Sequence, residues 1–193
     1  SQGIRGSSPL SDTDMEHHMD LTEALSFIRD IPDFPSSGIL FRDITPLLAN
    51  ASAFSLITDE LSKSSQPFTH VVGVEARGFI LGSAIAAKTE TGFVPVRKAG
   101  KLPHATISRS YGLEYGTDVI EAHIDALTSN DQVLVVDDVL ATGGTLLATL
   151  ELIEELGAQI AEVVVLFEIA GLGGREKILD KFPKVHIRTV VEG

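Results

Sequence analysis

The sequence predicts an α/β protein built on a mostly parallel, twisted sheet flanked by helices, and three observations carry that prediction. Short apolar runs at residues 70–74, 133–136 and 163–167 have no polar face, as strands buried on both sides of a sheet read. Helical stretches at 79–87 and 145–156 separate these runs, and alternation of strand and helix is the signature of parallel α/β architecture. Two of the runs end at glycine-bearing turns, Glu75-Ala76-Arg77-Gly78 and Thr142-Gly143-Gly144-Thr145, and in such sheets ligands sit at the carboxyl ends of the strands.

Residues 1–19 are rich in Ser, Asp and Gly, lack apolar periodicity and carry His17-His18 before Met19, so they read as an extension or an expression remnant. Asp20 followed by Glu23 resembles a capping box, and Leu21, Ala24, Leu25 and Ile28 recur at helical spacing, predicting a first helix that ends before Pro32. Residues 32–46 hold three prolines and Gly38 and read as an ordered, partly buried loop. A second helix is expected around Phe54, Ile57 and Leu61, then the strand at 70–74 and the small-residue helix at 79–87. Strands at 93–96 and 119–124 bracket about twenty residues rich in Gly, Ser, Lys and Tyr, too long for an ordinary loop and expected as a functional flap over 101–118. The strand at 133–136, helix at 145–156, strand at 163–167, helix at 174–182 and strand at 185–191 complete the order.

With 193 residues and 44% hydrophobic content, the chain fits one domain over 20–193 with an ample core. A net charge of -12 repels nucleic acid and anionic membranes, so neither is expected as a partner, and an anionic ligand needs a locally basic site. The absence of cysteine excludes disulfides, thiolate metal sites and a cysteine nucleophile, and agrees with a cytoplasmic location. No apolar stretch approaches the roughly 20 residues a transmembrane helix requires.

The chemistry concentrates in VLVVDDVLATGGT, residues 133–145. Gly143 and Gly144 let the backbone turn tightly, the amides opening the next helix point outward, and Thr142 and Thr145 add hydroxyls, which together make a cradle for a phosphate monoester. Asp137 and Asp138 at the strand tip can accept hydrogen bonds from two adjacent ribose hydroxyls and help hold Mg2+ through water. Glu75, Ala76, Arg77 and Gly78 follow another strand, where backbone amides and a guanidinium can grip a second anionic group. Arg97, Lys98 and Lys101 are a basic cluster beside the flap, which itself carries Tyr111, Glu114 and Tyr115. Read from the residues alone, this is a phosphoribosyl or nucleotide-phosphate site.

The 133–145 string resembles the substrate motif of the type I phosphoribosyltransferases. FPSSGILFRDITPLL, GVEARGFILG, PVRKAGKLP, YGLEYGTD and GLGGREKI, in that order, resemble the adenine phosphoribosyltransferase branch across nearly everything from Asp20 onward. The resemblance implies a type I phosphoribosyltransferase fold with a hood from about 20–46 plus a C-terminal segment, Mg2+ held by substrate and water without a direct protein ligand, and a homodimer. It implies that adenine and phosphoribosyl pyrophosphate (PRPP) give AMP and pyrophosphate. Asp137, Asp138, Ala141, Thr142, Gly143, Gly144 and Thr145 would take the ribose and 5′-phosphate. Glu75, Ala76, Arg77, Gly78, Arg97, Lys98 and Lys101 would take pyrophosphate, with a cis peptide at Glu75-Ala76. Leu40, Phe41, Arg42 and Ile169 would take adenine. Arg77 and Glu114 would act in catalysis, Glu114 handling a proton, because oxopurine-using relatives carry an aspartate where this chain has Ala141. A phosphoribosyltransferase for another base and a non-catalytic PRPP-sensing regulator are the alternatives, and the acidic charge argues against the regulator.

Overall fold

The computed structural model describes residues 19–113 and 116–191, and the chain forms two compact units, Ser1–Leu56 and Ile57–Gly193. In the first unit, α1 (Leu21–Leu25) opens at Asp20, whose carboxylate accepts the Glu23 N–H at 2.8 Å, one half of the expected capping box. The helix ends earlier than its apolar spacing suggests. Ser26 Oγ donates to the Glu23 carbonyl, and the chain then runs as β1 (Arg29–Pro32), paired antiparallel with β2 (Leu40–Asp43) from Arg29↔Asp43 to Pro32↔Leu40.

The expected loop over 32–46 is therefore half of a hairpin. Its turn closes through Asp33, which accepts the Gly38 N–H at 2.7 Å, and through Gly38 itself, whose φ of +86° suits glycine. Pairing in the hairpin satisfies backbone groups that a longer helix would have bonded internally. Ile39 and Leu40 stand half exposed, while Phe41 packs edge-on against Phe34 with ring centroids 5.1 Å apart. A short α2 (Thr45–Ala49) carries Pro46 in its first turn, where no N–H is needed, and α3 (Ala51–Ser62) follows as the sequence predicts.

The second unit is a seven-stranded sheet. Its strands are β3 (His70–Val74), β4 (Gly92–Lys98), β5 (Thr106–Leu113), β6 (Gly116–His123), β7 (Gln132–Leu140), β8 (Gln159–Glu168) and β9 (Ile187–Val191), in the order β5-β6-β4-β3-β7-β8-β9. β4, β3, β7, β8 and β9 are parallel, and the β5–β6 hairpin is appended antiparallel to β4. The connecting helices are α4 (Arg77–Thr89), α5 (Gly144–Glu155) and α6 (Gly174–Lys181). Val71, Val72, Leu134, Val135, Val163 and Val165 are fully buried, so the apolar runs form the predicted core. Arg188 of β9 donates to the carbonyls of Glu60 and Leu61, each at 3.0 Å, and to that of Lys63, which satisfies the C-terminal end of α3.

Two segments are longer strands than expected. Most of the 101–118 flap is the β5–β6 hairpin, and β7 runs through both aspartates to Leu140. The order of the sheet reverses at β3, with β4 on one side and β7 on the other, so the turns leaving β3 and β7 lie side by side at a topological switch point.

Candidate active site

At the switch point the backbones of the two turns nearly touch. A Cβ on Gly78, in the first turn of α4, would stand 2.7 Å from the Val136 carbonyl oxygen and 3.2 Å from Asp137 Oδ1. This approach brings Arg77 to β7, where its Nη2 lies 2.7 Å from Asp138 Oδ2. The Glu75–Ala76 peptide just before is cis, the position expected for it.

Asp137 and Asp138 are both buried, and Asp137 Oδ1 accepts the Asp138 N–H at 2.9 Å. Burial, then the neighbouring carboxylate, push the Asp137 carboxyl well above its ordinary range. Burial raises Asp138 too, with the Arg77 guanidinium opposing it. Two crowded, dehydrated carboxyls beside one guanidinium form a site that gains from hydroxyl donors and a divalent cation, so the residues fit the implied Mg2+. Among the described residues, no group of three or more His, Cys, Asp or Glu side chains could hold a metal by itself.

The 141–145 turn opens α5 through a glycine in the left-handed region. Gly143 takes φ +74° at the start of α5, and no side chain caps the helix, so its first amides are available to a ligand. Gly143 and Gly144 are buried, Ala141 and Thr145 half-buried and Thr142 exposed. The turn is held by the GLGG segment: a Cβ on Gly174 would sit 2.1 Å from the Ala141 carbonyl oxygen, and one on Gly143 would sit 2.5 Å from the Gly174 carbonyl oxygen. Ile169 donates its N–H to the Leu140 carbonyl at 2.9 Å, which ties its backbone to the end of β7, and its side chain is half exposed.

Two side chains of the basic cluster, Arg97 and Lys98, face carboxylates. Arg97 Nε lies 3.5 Å from Glu75 Oε2, the same oxygen that accepts the Lys98 N–H at 2.8 Å, and Arg97 Nη1 donates to the Lys101 carbonyl at 3.2 Å. The Arg97 guanidinium also stands over the Phe79 ring, 5.8 Å from its centroid. Lys98 Nζ lies 2.9 Å from Asp118 Oδ2. From the flap hairpin, Tyr111 leans on the start of α5, its Cδ2 being 3.2 Å from a Cβ built on Gly144. Glu114 and Tyr115 lie outside the described residues. Leu40, Phe41 and Arg42 are on β2 of the first unit.

A model of the phosphoribosyl transferase domain matches residues 45–191, and an adenine phosphoribosyltransferase of Streptomyces clavuligerus is 54% identical over 156 residues, covering 80% of this chain and 88% of the relative. The chain belongs to the adenine phosphoribosyltransferase family. A crystal structure of the adenine phosphoribosyltransferase of Thermoanaerobacter pseudethanolicus is similar at a TM-score of 0.84 and 43% identity, over 90% of this chain and 100% of that one. The Saccharomyces cerevisiae adenine phosphoribosyltransferase, solved with adenine and an imino-altritol bisphosphate, is similar at a TM-score of 0.82 and 36% identity, over 89% of this chain and 98% of that one. The type I phosphoribosyltransferase fold expected from the motifs is the fold found.

Three polar residues were assigned no role from the sequence. Glu168 and Arg175 form a bidentate pair, with Arg175 Nε 3.1 and 3.0 Å from the two carboxylate oxygens. Arg175 also donates to the Ile187 carbonyl at 2.8 Å and to Thr189 Oγ1 at 3.0 Å, tying α6 to the ends of β8 and β9. That arginine holds the Glu168 carboxyl below its ordinary range. Asp118, the third, was legible only as the last residue of the flap motif.

Proposed function

We infer that this chain is a pentosyltransferase of purine salvage that transfers the 5-phosphoribosyl group of PRPP to adenine, releasing AMP and pyrophosphate. The observation that carries this reading is the convergence at the switch point of the Asp137–Asp138 pair, the uncapped TGGT helix start and Arg77. The three features match, in type and order, the ribose, 5′-phosphate and diphosphate of one substrate.

Thr142, Gly143, Gly144 and Thr145, with backbone at Ala141, hold the 5′-phosphate by N–H and hydroxyl donors. Asp137 and Asp138 accept from the two ribose hydroxyls, and their negative charge favours the positive charge that develops on the sugar as the bond to pyrophosphate breaks. Arg77, with Glu75, Ala76 and Gly78 setting the turn, holds the leaving group together with Arg97, Lys98 and Lys101. Asp137 and Asp138 would hold Mg2+ by way of substrate and water, and the ion would supply positive charge to the diphosphate. A ring nitrogen of adenine attacks the anomeric carbon, and Glu114 takes its proton, with Tyr115 and Tyr111 on the same flap. Phe41 and Ile169 are assigned the two faces of the base, Leu40 its exocyclic amine through backbone, and Arg42 the support of the hood loop or a ring nitrogen, on the strength of the motif match. A homodimer and a cytoplasmic location are part of the same reading.

The test is product formation from PRPP and Mg2+ with adenine, run beside hypoxanthine, guanine, xanthine and orotate. Turnover confined to adenine is expected. Turnover with another base overturns the base assignment, and PRPP binding without turnover on any base favours a regulator.

A further inference from the structure

Lys98 ends β4 with its ammonium 2.9 Å from Asp118 Oδ2 at the opening of β6. Asp118 is held from two further directions: Oδ1 accepts the Val119 N–H at 2.9 Å, and Oδ2 accepts the Tyr111 hydroxyl at 3.3 Å. Tyr111 also leans on the start of α5, its Cδ2 being 3.2 Å from a Cβ built on Gly144. These contacts join Lys98, assigned to the diphosphate, through Asp118 to Tyr111 beside the turn assigned to the 5′-phosphate.

We propose that Asp118 is an internal counter-ion of Lys98 that sets PRPP affinity, because the diphosphate must displace it. The proposal rests on the reading of Lys98 as a diphosphate ligand. A diphosphate oxygen and the Asp118 carboxylate compete for one ammonium, and their like charges oppose sharing it. Once Lys98 turns to substrate, Asp118 keeps the Val119 N–H and the Tyr111 hydroxyl, so the exchange leaves no carboxylate without a donor. The side chains of Lys98 and Asp118 are 59% and 24% exposed, which puts the pair among the weak, water-screened ones. Relief of the competition is therefore worth a few-fold in affinity. Asp118 acts through Lys98 and is a positioning residue.

The experiment titrates PRPP with Mg2+ into wild type, Asp118→Asn, Lys98→Met and the double variant by calorimetry, with melting curves as a check of folding. Asp118→Asn is expected to tighten PRPP about three-fold in the wild-type background and to have no effect when Lys98 is already Met. Equal tightening in both backgrounds reports only the loss of a nearby negative charge and overturns the proposal, as does weaker or unchanged binding by Asp118→Asn alone. If Lys98→Met leaves PRPP affinity unchanged, the ligand reading of Lys98 fails with it. If Lys98→Met weakens PRPP while Asp118→Asn does not tighten it, the counter-ion proposal alone fails. Should Asp118→Asn not fold, Asp118→Ser keeps an acceptor for the Val119 N–H and takes its place in the cycle.

Discussion

Gly78→Ala probes the contact on which the whole site depends. The added methyl would meet the Val136 carbonyl oxygen at 2.7 Å, where ordinary contact begins near 3.4 Å, so roughly 0.7 Å must be found. Neither obstacle can give way cheaply: one is the backbone of a central strand and the other the carboxylate of Asp137. The first turn of α4 must therefore retreat from β7, carrying Arg77 away from Asp138. Overpacking of this kind costs about 1–3 kcal/mol, and in a chain of this size each kcal/mol lowers the melting temperature by about 2–4 °C. A displacement approaching 1 Å between groups that must act together costs on the order of 10- to 100-fold in rate. The assay is kcat/KM for PRPP at saturating adenine beside a melting curve, with Ser83→Ala on the exposed face of the same helix as the control. A folded Gly78→Ala protein with wild-type kcat/KM and melting temperature would refute the argument that close approach at the switch point assembles the site.

Two further outcomes follow from the electrostatics. Burial raises the Asp137 carboxyl, so its favourable contribution to stability is complete below the ordinary aspartate range and is lost as pH rises through its folded value. Asp137→Asn, which keeps an acceptor for the Asp138 N–H, is expected to melt higher than wild type at pH 7 while losing PRPP binding; a lower melting temperature contradicts this. The sign is opposite at Glu168, which Arg175 holds low, so its contribution is present above the ordinary glutamate value and lost as pH falls through the folded one. Arg175→Ala should cost about 2 kcal/mol at pH 7, and the gap to wild type should narrow below about pH 4; a gap independent of pH would count against the pair.

The parallel core was legible because strands buried on both faces need no alternation, and the runs at 70–74, 133–136 and 163–167 have none. The helix after TGGT was legible from the glycines. The β1–β2 hairpin was not, since Phe27 and Ile28 extend a helical spacing that Ser26 ends, and prolines mask the short β2. In β5 the alternation was present, with Ile107 and Tyr111 flanking Ser108 and Ser110, but its polar composition read as flap. The site residues in motifs were visible as types. Their partners were not: Arg77 meets Asp138, and Lys98 meets Asp118, only because the sheet order brings β3 to β7 and β4 to β6. No local pattern encodes those pairings.

The most direct test of the account is AMP formation from adenine, PRPP and Mg2+ by wild type beside the Asp137→Asn, Asp138→Asn double variant, both shown to be folded. Turnover by wild type that disappears in the variant is the predicted result. An inactive wild type, or a variant that turns over at the wild-type rate, would contradict the claim that the paired aspartates at the β3–β7 switch point carry phosphoribosyl transfer.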